Sequence, residues 1–198
     1  MNKLPVISFL ASHGGSSARF LISAMRNGEL AATPGILITN NRDSAILHWC
    51  LEHDMPVRHL SSKSHRGEDN ADEAICSVLQ QAGTDLVVCS GYMKAIGPRT
   101  LAAFSGCILN IHPALLPKHG GKGMYGDFVH EAVLAAGESG SGASVHLVTA
   151  GIDEGAVILQ SQVPVTTSDT VASLRQKVQA TEPGLYLAAI RKFLARQA

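Results

Sequence analysis

An excess of charge of either sign is missing from this chain of 198 residues: sixteen Lys and Arg offset sixteen Asp and Glu, for a formal net charge of zero with histidine neutral. Without a basic surplus there is no electrostatic reason to expect nucleic acid or an anionic membrane as the main partner, and an anionic substrate would need a local site. A long apolar run is missing too. The start, MNKLPVISFLAS, passes from a short apolar stretch straight into polar residues and glycine, with neither a cleavage-like sequence nor the roughly 20 apolar residues of a membrane span. It reads as a first buried strand. The four cysteines, Cys50, Cys76, Cys89 and Cys107, show no C-x-x-C spacing, so they read as packed, reduced thiols in a cytoplasmic protein. We find no internal repeat, low-complexity tract or linker.

What is present is enough apolar material, 45% of residues, for one substantial core and one domain over 1–198. The first half alternates short Val- and Ile-rich runs with segments of helical period, the pattern of a mostly parallel sheet with crossover helices. Strands are expected at Val6 to Ser12, Gly35 to Asn40, Pro56 to Leu60 and Asp85 to Gly91, with helices at Ser17 to Arg26, Asp43 to His53 and Asp69 to Gln81. After Gly91 come a strand CILNIHP closed by Pro113, a Gly-rich loop and a helix from about Phe128 to Ala136. Ser144 to Thr149 and Ala156 to Val165 read as an antiparallel pair around the turn AGIDEG. A last helix, capped by Ser168 or Asp169, runs to near Phe193.

Three local features bear on chemistry. In Asn110-Ile111-His112-Pro113, strand alternation sends Asn110 and His112 to the same side, and an amide donor beside an imidazole suits acyl chemistry, the first stabilising an oxyanion and the second moving protons. The same pair also occurs as an ordinary hydrogen-bonded couple. Asp153 sits in a glycine-flanked turn, a position that needs only a turn former; beside His112 it would raise that histidine's basicity and support a proton relay. His146, on the preceding strand, faces either the same place or the core. Finally, Ser12-His13-Gly14-Gly15-Ser16-Ser17 joins the first strand to the first helix, where free N–H groups favour a phosphate. That loop lacks the G-x-G-x-x-G and G-x-x-x-x-G-K-[ST] patterns, so neither NAD nor ATP is indicated.

Taken together, LNIHPALLPK (Leu109 to Lys118), GYMKAIGP (Gly91 to Pro98), SVHLVTAGIDEGAVILQSQVPV (Ser144 to Val165) and VQATEPGLY (Val178 to Tyr186) resemble the folate-dependent formyltransferases of the glycinamide ribonucleotide transformylase kind, over nearly the whole chain. The resemblance implies an α/β, Rossmann-like formyltransferase fold in three layers, mostly parallel with an antiparallel strand in the carboxyl-terminal half. It implies a phosphate- and nucleotide-binding half over 1–100 and a catalytic, folate-binding half over 101–198. The implied activity is transfer of a formyl group from the cosubstrate 10-formyltetrahydrofolate to the amine of glycinamide ribonucleotide in de novo purine biosynthesis, without a metal. Asn110, His112 and Asp153 then match the catalytic trio. Gly15, Ser16, Ser17, Gly91, Met93, Gln179 and Glu182 match substrate contacts, and Lys94, Ala95, Ile96, Thr149, Ala150, Gly151, Ile152 and Asp153 the folate side. The protein would act as a monomer or homodimer in the cytoplasm, with no nucleic acid or membrane partner.

Three departures qualify that resemblance. The phosphate loop carries an extra glycine, with Ser17 where the family has an amide. Glu182 precedes Pro183 rather than histidine, and His119 to Tyr125 form a longer Gly-rich loop in which Lys122 could reach a phosphate or the folate tail. The first two fall on the acceptor's side, so a formyltransferase for another small amine stays open, as do a formyltetrahydrofolate hydrolase and a non-catalytic ligand-binding paralogue. An initiator-tRNA formyltransferase is disfavoured by the zero net charge and by the lack of a basic carboxyl-terminal domain.

Overall fold

The structure, a computed structural model, describes residues 3–196. It comprises two compact units that divide between Leu109 and Asn110. The first holds β1 (Val6–Ala11), α1 (Ser16–Arg26), β2 (Thr33–Thr39), α2 (Ala45–Glu52), β3 (Val57–His59), α3 (Glu68–Gln81), β4 (Leu86–Cys89) and α4 (Pro98–Ala103). Strand β5 (Ile108–His112) runs through the division, and α5 (Asp127–Ala135), β6 (Gly140–Leu147), β7 (Val157–Pro164) and α6 (Val171–Leu194) follow. The strand order is β3-β2-β1-β4-β5-β6-β7. β1 pairs in parallel with β2 and β4, β2 in parallel with β3, and β6 antiparallel with β7. This is the expected α/β class.

The parallel strands carry the signature of burial on both faces. Every residue of β1 and of β4 is buried, including Ile7, Phe9 and Leu10 and Leu86 to Cys89. Such strands show a continuous apolar run rather than alternation, because crossover helices cover the sheet. In the second unit α6 packs on β6, β7 and α5, and it buries Leu174, Val178, Leu185, Tyr186, Ile190 and Phe193.

Three elements differ from the sequence reading, each for a physical reason. β6 starts at Gly140, four residues before the expected Ser144, because ESGSGAS looks like a loop; Gly142 is there since a Cβ would collide with the backbone oxygen of Ser161 on β7. The cap of α6 is Thr170, which forms a reciprocal box with Ser173. Asp169 instead accepts from the Thr166 N–H at 2.8 Å and the Lys177 ammonium at 2.7 Å. The short helix α4 was not anticipated. Pro98 opens it, where a missing N–H costs nothing, and its amino end is capped from α3. Asp72 accepts from Arg99 N–H at 2.8 Å, Thr100 N–H at 3.1 Å and the Thr100 hydroxyl at 2.6 Å.

A buried carboxylate holding three donors supports more than a surface cap does. Asp72→Ala leaves two backbone N–H groups without their partner, and we expect a loss of about 2 kcal/mol of unfolding free energy, read from urea denaturation followed by circular dichroism. An unchanged midpoint would mean that α4 does not depend on Asp72.

Candidate active site

In the second unit, β5 delivers Asn110 and His112 and the segment after β6 delivers Asp153. Alternation along β5 turns both side chains toward the same group of residues, as the spacing requires. His112 is 3% exposed, and its Nδ1 lies 3.3 Å from Asp153 Oδ2. Its other nitrogen, Nε2, donates to the His119 carbonyl oxygen at 2.8 Å. A carbonyl can only accept, so the neutral ring carries its proton at Nε2, and its Nδ1 lone pair faces the carboxylate.

Asp153 takes the left-handed conformation, φ 58°, which aspartate tolerates where a turn requires it. Its side chain is 10% exposed and touches three neighbours. Oδ2 accepts from the Gly121 N–H at 3.1 Å, and Oδ1 lies 3.5 Å from His146 Nε2. His146 belongs to this group too. It accepts from Asn110 Nδ2 at 3.2 Å and is 2% exposed. The sequence suggested His146 only as one of two orientations; its two-residue separation from Ser144 on a strand buried on both faces could not choose between them.

Burial disfavours the charged form of His112 and outweighs the pull of Asp153 and of the His119 carbonyl, so its pKa falls below the usual histidine range. Burial pushes the Asp153 carboxyl up, but the ring of His146, the charge of His112 and the Gly121 amide more than offset it, and the carboxyl stays below its ordinary value. Near neutral pH the pair is therefore an imidazole beside a carboxylate. A proton arriving at Nδ1 would sit between a ring nitrogen and an anionic oxygen, which makes this edge of His112 a proton acceptor.

The Gly-rich loop after β5 is part of the arrangement. Gly120 approaches so closely that a Cβ there would stand 3.3 Å from that of Asp153 and would collide with Leu116. His119 is anchored in turn by Glu138, which also takes the Lys118 ammonium at 2.9 Å. The chain between His112 and this loop is clamped from β6 by Ser144. The Ser144 hydroxyl donates to the Ala114 carbonyl at 2.5 Å and accepts from the Leu116 N–H at 3.0 Å and from Gln160 at 2.8 Å. Lys122 is exposed.

The remaining expected folate residues of this unit, Thr149, Ala150, Gly151 and Ile152, form the turn leading to Asp153, with Ile152 56% exposed. Gln179 and Glu182 lie on α6, Gln179 exposed and Glu182 half-buried. Pro183 sits inside the helix and removes the N–H that would bond the Gln179 carbonyl. Burial pushes the Glu182 carboxyl up to about 7.

In the first unit, the expected phosphate loop caps α1. Gly15 has φ 58°, and a Cβ there would press on Ile46. Ser16 is exposed whereas Ser17 is 2% exposed, so its side chain faces the core. The loop is stitched to the turn after β4: Ser12 N–H donates to the Gly91 carbonyl at 3.2 Å, and Met93 N–H donates to the Ser12 hydroxyl at 2.8 Å. The structure thus brings Gly15, Ser16, Ser17, Gly91 and Met93 into one connected region. Lys94, Ala95 and Ile96 border a cavity of about 1140 Å³ whose other lining includes Asn40, Arg42, His59 and Lys63. Lys94 lies 3.8 Å from Glu68.

A strand-borne amide and imidazole meeting a turn-borne carboxylate, on a sheet of this order, belong to the one-carbon group transferases. The chain is a member of the formyl transferase family, whose model matches residues 6–190. It is 32% identical over 187 residues to the phosphoribosylglycinamide formyltransferase of Haemophilus influenzae, covering 94% of this chain and 86% of that protein. The chloroplastic phosphoribosylglycinamide formyltransferase of Arabidopsis thaliana is 35% identical over 182 residues; these span 91% of this chain but 62% of that longer protein. Among solved structures, a glycinamide ribonucleotide transformylase 1 from Symbiobacterium toebii superposes with a TM-score of 0.89 at 33% identity, covering 96% of this chain and 88% of that one. The Rossmann-like formyltransferase fold expected from the sequence is therefore the one found.

Glu182 gives a pH-dependent test of the site. A carboxyl whose pKa is raised from 4.5 to about 7 binds its proton more tightly in the folded than in the unfolded chain. Stability therefore falls as pH rises between those values and stays reduced above them. We expect Glu182→Gln to raise the thermal midpoint at pH 8 and to leave it nearly unchanged at pH 5. A midpoint equal to wild type at both pH values would show that Glu182 is not desolvated.

Proposed function

We propose that this protein transfers a formyl group from 10-formyltetrahydrofolate to the amine of glycinamide ribonucleotide, in the cytoplasm and as a step of de novo purine biosynthesis. The observation that carries the reading is the buried meeting of Asn110, His112 and Asp153, from segments some forty residues apart, in a chain of the formyl transferase family. A protein that only binds ligand has little use for an amide, an imidazole and a carboxylate converging at such a cost in desolvation.

In this reading the amine nitrogen attacks the formyl carbon, a C–N bond forms, and negative charge develops on the formyl oxygen. Asn110 donates to that oxygen, and fixed donors stabilise it without reorganising. The proton lost by the amine passes to the His112 and Asp153 pair, whose facing lone pair and carboxylate are arranged to take it, and returns to the folate nitrogen as the old C–N bond breaks. For the His112 Nε2–H to reach the oxyanion as well, its bond to the His119 carbonyl has to open.

The remaining roles follow the family resemblance. Gly15, Ser16 and Ser17 take the phosphate, with backbone N–H groups at the start of α1 as the donors, since Ser17 keeps its hydroxyl inside. Gly91 and Met93 border the amine. Gln179 and Glu182 contact ribose and amine, and a cationic amine is the natural partner for a carboxylate that burial holds near neutrality. Lys94 to Ile96 and the backbone of Thr149 to Asp153 flank the folate. A second reading, transfer to a different small amine, rests on the altered phosphate loop.

Purified protein given 10-formyltetrahydrofolate and a panel of amines decides between the two. We expect formyl transfer to glycinamide ribonucleotide at ordinary enzyme efficiency; transfer only to another amine would establish the second reading, and equally fast formate release without any amine would make the protein a hydrolase. Asn110→Ala, His112→Ala and Asp153→Ala should each lower kcat about 100-fold or more. Near-normal turnover in all three would overturn the mechanism.

A further inference from the structure

The trio leaves a fourth buried group unexplained. His146 lies within 3.2 Å of Asn110 Nδ2 and 3.5 Å of Asp153 Oδ1, although neither contact involves the reacting atoms. Its state follows from the third contact. His146 Nδ1 stands 2.9 Å from the Leu147 carbonyl oxygen, which can only accept, so the ring's proton belongs on Nδ1 and the neutral imidazole presents a lone pair at Nε2. Of the two groups facing that lone pair, the carboxylate has no hydrogen to offer, and the Asn110 amide has two.

We propose that His146 is a positioning residue that fixes the rotation of the Asn110 side chain, one amide hydrogen being held by His146 Nε2 and the other left to donate to the oxyanion. Turned by half a revolution, the amide would place Oδ1 against the same lone pair, two acceptors facing one another in a nearly dry environment. That orientation would also offer a lone pair where negative charge develops. The proposal rests on the catalytic reading of Asn110.

The backbone supports the placement independently. The β6 to β7 register shifts at this residue: Val145 lies opposite Leu159 and His146 opposite Val157, so Ile158 is an extra residue on β7. Such a bulge bends the strand and re-aims side chains. The Leu147 carbonyl that fixes the tautomer is itself packed against the backbone at Gly155, where a Cβ would collide with it. The ring is thus held at its proton-bearing edge by main chain and meets the amide with the other.

Three measurements on the full chain test this. In wild-type protein labelled with nitrogen-15, long-range proton–nitrogen correlation at pH 7.5 should show His146 neutral with its proton on Nδ1; a proton on Nε2 overturns the proposal, and this reading needs no variant to fold. In kinetics, His146→Phe should lower kcat about 10-fold to 100-fold at little-changed KM for both substrates, while His146→Gln, whose side-chain carbonyl can still accept from Asn110, should recover much of the loss. Combined with Asn110→Ala, His146→Phe should cost little more, because the residue acts through an amide no longer present. Fully additive losses, or a Gln variant no better than Phe, would make His146 a packing residue. If Asn110→Ala alone leaves kcat intact, the catalytic reading fails, while the tautomer measurement still judges the His146 to Asn110 contact by itself.

Discussion

The carboxylate of Asp153, enclosed between two imidazole rings and given a single backbone donor, is the constraint on which the second unit depends. A buried anion costs several kcal/mol unless its surroundings supply polarity, and here that polarity comes from His112, His146 and the Gly121 amide. Each of these groups is held by something else. His112 is tied to the His119 carbonyl, His146 to the Leu147 carbonyl, and Gly121 belongs to a loop whose close approach only glycine permits at position 120. The same low polarity that makes the anion costly strengthens every interaction with charge that appears nearby during a reaction. Cost in the resting protein and capacity for catalysis have one source.

Rigidity comes from the sheet. Asn110 and His112 lie on β5, and the segment after His112 is clamped by Ser144 and Gln160 from the antiparallel pair. The bulge between β6 and β7 aims His146, and the turn that follows puts Asp153 into a left-handed conformation. A site built on strands holds donors more accurately than one built on loops. The Gly-rich stretch contributes only its first three residues to the cluster, while Lys122 is exposed and Tyr125 and Phe128 stack edge to face at 5.3 Å on the surface.

Much of this was legible in the sequence where a physical rule applies residue by residue. The apolar runs at β1 and β4 state burial on both faces, and the spacing of Asn110 and His112 states a shared side. The resemblance carried Asp153 to the same place, which spacing could not, because nothing local says where a turn forty residues away will fold back. His146 was visible but undecided: β6 is buried on both faces, so alternation assigns no inward side, and only the bulge settles the direction. Gly140 and Gly142 disguised the start of β6, since composition cannot tell a glycine demanded by a neighbouring strand from one that loosens a loop. The capping of α4 by Asp72 was hidden for the opposite reason, the cap being supplied from another helix.

The departures in the phosphate loop look different once their surroundings are known. Gly15 takes a left-handed backbone angle and lies against Ile46, so its glycine is required by the junction between the α1 start and α2 whatever ligand is present. Ser17 stands where the family has an amide, but its side chain is enclosed, and a ligand at the helix start meets N–H groups that every residue type provides. Only Ser16 of the three exposes its side chain. A change of acceptor would have to act through exposed groups, and two of the three altered or neighbouring positions offer none. Packing therefore accounts for most of the difference in the loop, and this weakens the case for a different amine more than sequence comparison alone could.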